Sequence, residues 1–174
     1  MKNIVLVGMM GSGKSTVSKI LAEKLKNFST VEVDEIIVHL ENRQISDIFK
    51  DSGEEYFREL ETAVIDSYST SSGKIISTGG GACEKEENVE LLKQNGIIFY
   101  LLTPVEELYE RLQNDTTRPL LKTSNIKLTI EKLLKIREDN YKLATYTIDA
   151  AEKSAADVAN EIIDKYYEHE KINS

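Results

Sequence analysis

Five short apolar runs alternate along the chain with longer stretches whose apolar residues recur every three or four positions. Residues 3–7, 97–102 and, more briefly, 74–77 are nearly continuous in Ile, Val, Leu and Phe, the pattern of parallel strands covered on both faces. Residues 31–33, ending at Asp34, and 145–148 read as two further short strands. Between them the period becomes helical. Val17, Ile20, Leu21, Leu25 and Phe28 form one stripe; Ile36, Ile37 and Leu40 form another, with Asn42 as a left-handed stop. Ile45, Ile48 and Phe49 mark a short helix closed by Asp51-Ser52-Gly53, and residues 54–68 a long one with Phe57, Leu60, Val64 and Ile65 inward.

Further helices are predicted over 86–94, from Thr103-Pro104 (with the proline in the first turn) through Leu112, and over 129–143. Ser154 and Asp157 resemble a capped start for the last helix, which carries Val158, Ile162 and Ile163. Residues 113–127 are polar, carry Arg118-Pro119, and are long enough to suggest a mobile functional lid. Strands alternating with helices predict an α/β fold, a three-layer αβα sandwich on a central five-stranded parallel sheet. With 174 residues, no repeat and no long linker, one domain over residues 1–170 is expected.

Charge and cysteine usage narrow the partners. At a net charge of −8 the chain lacks the basic face that non-specific nucleic-acid binding needs, so any phosphate must be held locally. Cys83 is the only cysteine, which excludes an internal disulfide and a cysteine-based zinc site, and the two histidines, His39 and His169, add little metal-binding capacity. No apolar run approaches the ~20 residues that span a bilayer, and the first runs straight into glycines rather than reading as a signal peptide. A cytoplasmic monomer without membrane or nucleic-acid partners is the expectation.

Gly8-Met9-Met10-Gly11-Ser12-Gly13-Lys14-Ser15 fits G-x-x-x-x-G-K-[ST] between an apolar strand and an amphipathic helix. The glycines let successive backbone N–H groups face phosphates, and the helix start adds unsatisfied donors and its positive end. Gly11, Ser12, Gly13, Lys14, Ser15 and Thr16 are therefore expected to cradle ATP. Lys14 would span the β- and γ-phosphates, and the Ser15 hydroxyl would face Mg²⁺. The motif does not separate hydrolysis from transfer.

Beyond this loop, Asp34, Gly53-Glu54, Phe57-Arg58, Glu61, Thr78-Gly79-Gly80-Gly81, Arg111, Arg118-Pro119-Leu120-Leu121, and Arg137 with Tyr141 occur in an order that resembles the shikimate kinase family over nearly the whole chain. The resemblance implies a fold like that of nucleoside monophosphate kinases and transfer of the ATP γ-phosphoryl to the 3-hydroxyl of shikimate, in the route to aromatic amino acids. It implies an acceptor region over 34–61, with Arg58 and Arg137 gripping the shikimate carboxylate. Asp34 would orient the attacking hydroxyl, and Gly79, Gly80 and Gly81 would allow close backbone approach. It further implies that Arg118 closes over the phosphates as the lid arginine, that Arg111 packs on adenine, and that the turn between Ile148 and Ser154 completes the adenine pocket. Guanidinium forks suit a planar carboxylate, so the chemistry agrees.

Each residue has a plainer alternative. Asp34 can be a helix cap, and Arg58 a helix-surface partner of Glu54 or Glu61. Arg111 and Arg118 can be surface arginines, and residues 79–81 a turn. The family pattern also departs in two places. Glu32-Val33-Asp34 stands where Asp-x-Asp is usual, so Glu32, expected to reach Mg²⁺ through water, carries an extra methylene. Glu138-Asp139-Asn140 follows Arg137 where a proline is usual, which puts the helix geometry there in question. The competing functions are a related kinase for gluconate or a nucleoside monophosphate, and a regulatory ATP-binding module without transfer activity.

Overall fold

The computed structural model describes residues 1–172. Five parallel strands, β1 (Asn3–Val7), β2 (Ser29–Glu32), β3 (Lys74–Ser77), β4 (Gly96–Leu102) and β5 (Tyr146–Asp149), lie in the order β2-β3-β1-β4-β5. β1 is central, which explains its apolar continuity: all five of its residues are buried. Its alternate side chains face two separate cores. Val5 and Val7 join one with Ile37, Ile48, Phe57, Val64, Val89, Leu108, Ile130 and Tyr141. Ile4 and Leu6 join the other with Val17, Leu21, Val158 and Ile162.

The helices are divided accordingly. α1 (Lys14–Lys24) and α7 (Ala155–Ile172) cover one face. The other carries α2 (Val33–Glu41), α3 (Ile45–Ser69), α4 (Glu86–Asn95), α5 (Val105–Leu112) and α6 (Ile126–Tyr141). The three-layer sandwich on a five-stranded parallel sheet is as the sequence predicts. No helix among the described residues is long and apolar enough to cross a membrane.

Several predicted boundaries shift for identifiable reasons. β2 ends at Glu32, and Val33 and Asp34 already belong to the first turn of α2. Val33 is fully buried there, so its β-branched, apolar character served a helix rather than the strand end. Pro104 is extended, at φ −59° and ψ 148°, and sits at the N-cap of α5 rather than in its first turn; its carbonyl accepts the helix's opening hydrogen bond from Leu108. α6 starts three residues before the expected position because Asn125 caps it, Oδ1 accepting from the Leu128 amide at 3.0 Å, and it ends at Tyr141. The polar segment before α6 contains a short 3₁₀ turn, Pro119–Leu121, pinned by buried Leu121.

Other local readings hold. Asn42 ends α2 in the left-handed region, φ 50°. α3 is broken at Gly53, where φ is 88° and ψ 166°, so residues before and after the glycine run as separate helical segments. Ser154 and Asp157 form the reciprocal cap of α7, with the Asp157 amide donating to Ser154 Oγ at 3.1 Å. Glu41 ties α2 to α3, pairing with Arg43 and accepting from the Tyr56 hydroxyl at 2.9 Å.

Candidate active site

All the glycine-rich turns lie at the carboxyl ends of the central strands, where an open parallel sheet leaves its crevice. The loop after β1 carries Gly8, Gly11 and Gly13 at positive φ (146°, 78° and 91°), the conformations that make such a curl accessible mainly to glycine. A Cβ on Gly8 would come within 2.9 Å of the Leu101 carbonyl oxygen on β4. The loop is therefore packed against its neighbouring strand as well as curled.

Lys14 folds back across this loop. Its ammonium donates to the carbonyls of Gly8 at 2.8 Å and Met9 at 2.9 Å, and burial lowers its pKa to about 8 against the opposing pull of Asp34. Ser15 Oγ donates to Glu32 Oε2 at 2.8 Å, while the other Glu32 oxygen is buried without a partner. This pairing of a hydroxyl and a half-satisfied carboxylate fits a hard cation such as Mg²⁺, which takes one or two protein oxygens and completes its shell with water and phosphate. Among the described residues no group of three or more His, Cys, Asp or Glu could hold a metal unaided.

Asp34 points into the same crevice from the first turn of α2. The N-cap position is Glu32, so Asp34 is not the helix cap, and its Oδ1 is buried with no hydrogen-bond partner. Burial raises its pKa, with Lys14, Arg118 and Arg58 pulling in the other direction. Arg58 does pair with Glu54 at 3.1 Å and Glu61 at 2.9 Å, as the plainer reading held, yet its side chain is largely buried and lines the cavity. The surface and site readings thus describe one residue, oriented by its helix neighbours.

Arg137 is fully buried despite the absence of a following proline. It donates to Glu84 at 2.5 Å and lies 3.9 Å from Met9 Sδ. The glycines after β3 fit tightly between these groups. A Cβ on Gly80 would meet the Met10 amide at 3.0 Å and Arg137 Nη1 at 3.4 Å, and one on Gly79 would meet Glu61 Oε1 at 2.5 Å. Gly81 faces the Arg58 guanidinium.

Two cavities occupy the crevice. One, of about 440 Å³, is lined by residues 10–17, Arg111, Ala150, Lys153, Ala155 and Val158 among others. The second, of about 510 Å³, is lined by Ile45, Phe49, Phe57, Arg58, Gly81, Pro119, Leu120 and Arg137 among others. Met10, Asp34, Gly79, Gly80 and Arg118 line both. Arg118, held by Asp115 at 3.0 Å, therefore stands at the junction with Asp34. Arg111 donates to the Gly11 carbonyl at 2.9 Å and pairs with Glu107 at 2.9 Å.

The sequence model of the shikimate kinase family matches residues 10–167. The chain belongs to the shikimate kinase family. It is 45% identical over 165 residues to the shikimate kinase of Sulfurihydrogenibium sp. (strain YO3AOP1), covering 95% of this chain and 98% of the relative. The shikimate kinase of Persephonella marina is 44% identical over 163 residues, covering 94% and 98%. Among solved structures, the Acinetobacter baumannii shikimate kinase in complex with shikimate superposes with a TM-score of 0.93 at 39% identity, covering 97% of this chain and 94% of that one. A gluconokinase from Sinorhizobium meliloti, 18% identical with a TM-score of 0.64 over 99% of this chain and 97% of its own, shares the fold alone.

The sequence named every polar residue at the cavity junction. It assigned no role to Glu84, and it did not read Ile45, Phe49, Phe57 and Leu120 as a cavity wall. Glu61 was read as the i+3 partner of Arg58, whereas nothing local connects Glu84 to Arg137, 53 positions away.

Proposed function

We propose that this shikimate kinase family member transfers the γ-phosphoryl of ATP to the 3-hydroxyl of shikimate, giving shikimate 3-phosphate and ADP. The observation that carries the reading is the meeting of the two cavities at Asp34, Gly79, Gly80 and Arg118. One cavity has the phosphate loop, and the other has two guanidinium groups against an apolar wall. A small anionic polyol fits the second: Arg58 and Arg137 take its carboxylate, and Phe49, Phe57 and Leu120 meet its ring.

In the transfer, the acceptor hydroxyl attacks the γ-phosphorus in line as the bond to the ADP oxygen breaks. The hydroxyl proton passes late to Asp34, whose burial favours its acceptance. Lys14 leaves the loop carbonyls for the phosphates, and Arg118 adds charge on the transferring group from the junction. Ser15 and Glu32 would hold Mg²⁺, which when bound neutralises phosphate charge. Arg111 lies beside the nucleotide cavity, half-exposed and available to a flat base. Residues 113–125 carry Arg118 over the junction, and closing them excludes water so that the acceptor competes for the phosphoryl group.

The same reading takes the protein as a cytoplasmic monomer without nucleic-acid or membrane partners, the net charge of −8 weighing against nucleic-acid binding. ADP release that depends on shikimate, and not on gluconate or nucleoside monophosphates, is the expected result. Equal stimulation by gluconate would favour the related-kinase reading.

A further inference from the structure

Tyr141 lies one turn beyond Arg137 on α6 and is fully buried, yet nothing in the transfer chemistry uses it. Its ring stacks on Tyr100 of β4, centroids 5.0 Å apart and planes inclined by 26°. Its hydroxyl donates to the carbonyl of Gly80. Burial pushes the phenol's pKa up, so it remains a donor throughout the neutral range.

The other carbonyls of the glycine loop are also engaged. Gly79 accepts from the Ala82 amide at 3.2 Å and Gly81 from the Glu84 amide at 3.0 Å. Of the three, Gly80 is the one that depends on a distant element, 61 positions along the chain. Gly80 sits between the phosphate loop and Arg137, so a small shift there changes the gap between the acceptor's carboxylate partner and the transferring group. Tyr141 and Arg137 lie one turn apart on a single rigid helix.

We infer that Tyr141 is a positioning residue for the acceptor: its hydroxyl fixes Gly80 to α6 and so sets the distance between the glycine loop and the Arg137 guanidinium. The inference rests on the acceptor site proposed above. Removing the hydroxyl alone loosens the loop at Gly80, which lines both cavities beside Arg137, and leaves the rest of the nucleotide cavity, residues 11–17 with Arg111 and Lys153, in place.

The test is steady-state kinetics of Tyr141→Phe, with shikimate and ATP titrated separately, beside Tyr100→Phe as the control. Tyr100→Phe keeps the ring under Tyr141 and deletes a different buried hydroxyl. The expected result is a shikimate KM raised about tenfold in Tyr141→Phe, equivalent to about 1.4 kcal/mol and in keeping with one lost buried hydrogen bond. ATP KM stays within about twofold in the same variant, and the shikimate KM is near normal in Tyr100→Phe. A lowered melting temperature with unchanged shikimate KM would overturn the inference, as would equal effects from the two variants. If Tyr141→Phe does not fold, the wild-type hydroxyl proton gives an independent reading by NMR. It should be protected from exchange and shift on adding shikimate; a freely exchanging proton overturns the inference. Wild-type protein without shikimate-dependent turnover would overturn the proposed function and this inference with it; an active wild type with unchanged Tyr141→Phe kinetics overturns this inference alone.

Discussion

Glu61→Gln should make the protein more stable above neutral pH and leave it nearly unchanged in mild acid. Glu61 is fully buried; Oε2 accepts from Arg58 at 2.9 Å, whereas Oε1 has no partner. Burial outweighs the attraction of Arg58 and raises the carboxyl pKa from 4.5 to about 7, with Asp34 adding to the rise. Below about pH 4.5 the group is protonated in both folded and unfolded chains and adds no pH dependence. Between about 4.5 and 7 the folded state keeps a proton that the unfolded state has lost, so wild-type stability falls as pH rises. Above 7 the difference levels off at about 3 kcal/mol, from 1.36 kcal/mol per pKa unit.

Glutamine retains the shape and stays neutral, so it lacks this loss. For a chain of this size the gain over wild type corresponds to roughly 6–12 °C in Tm at pH 8, and to little at pH 4.5. Thermal unfolding followed by circular dichroism at both pH values measures it, and the pH dependence of groups not coupled to Glu61 cancels in the comparison. A difference in Tm that is the same at both values, or one that turns against the variant as pH rises, would show that Glu61 does not hold a raised pKa in the folded protein.

Two more outcomes follow from the site. Lys14→Met should fold with near-normal circular dichroism and lower kcat at least ~100-fold, the scale of a lost charge contact in the transition state; near-normal turnover would remove Lys14 from that role. Gly79→Ala sets a methyl group 2.5 Å from Glu61 Oε1 and 2.9 Å from Asp34 Oδ1. With both carboxyls buried, acceptor kcat/KM should fall at least ~10-fold, about 1.4 kcal/mol, while ATP KM holds; unchanged acceptor kinetics would mean that the two carboxyls move aside freely.

The sequence made much of this legible because the dominant signals are local. β1 and β4 read as buried strands since their burial on both faces demands unbroken apolar runs, and the phosphate loop's glycines coincide with its positive-φ positions. The errors arose where one property serves two structures. Val33 is as apolar in the first turn of α2 as it would be in a strand, and Pro104 satisfies an N-cap as readily as a first turn. Long-range pairings left no periodic trace: Arg137 with Glu84, Tyr141 with Gly80, and Glu107 with the Glu152 amide at 3.0 Å all depend on how the layers meet. The ion pair of Arg58 with Glu61 was legible as an i,i+3 neighbour, but the unpartnered second oxygen of Glu61 belongs to tertiary packing.

In the proposed reading the nucleotide and acceptor cavities form one transfer site at Asp34 and Arg118. The decisive experiment is to incubate the protein with Mg·ATP, with and without shikimate, and to identify the product by ³¹P and ¹³C NMR. One shikimate 3-phosphate is expected per ADP released, with only slow ADP release in the absence of the acceptor. ATP turnover that leaves shikimate unphosphorylated, or phosphate on another hydroxyl, would contradict that reading.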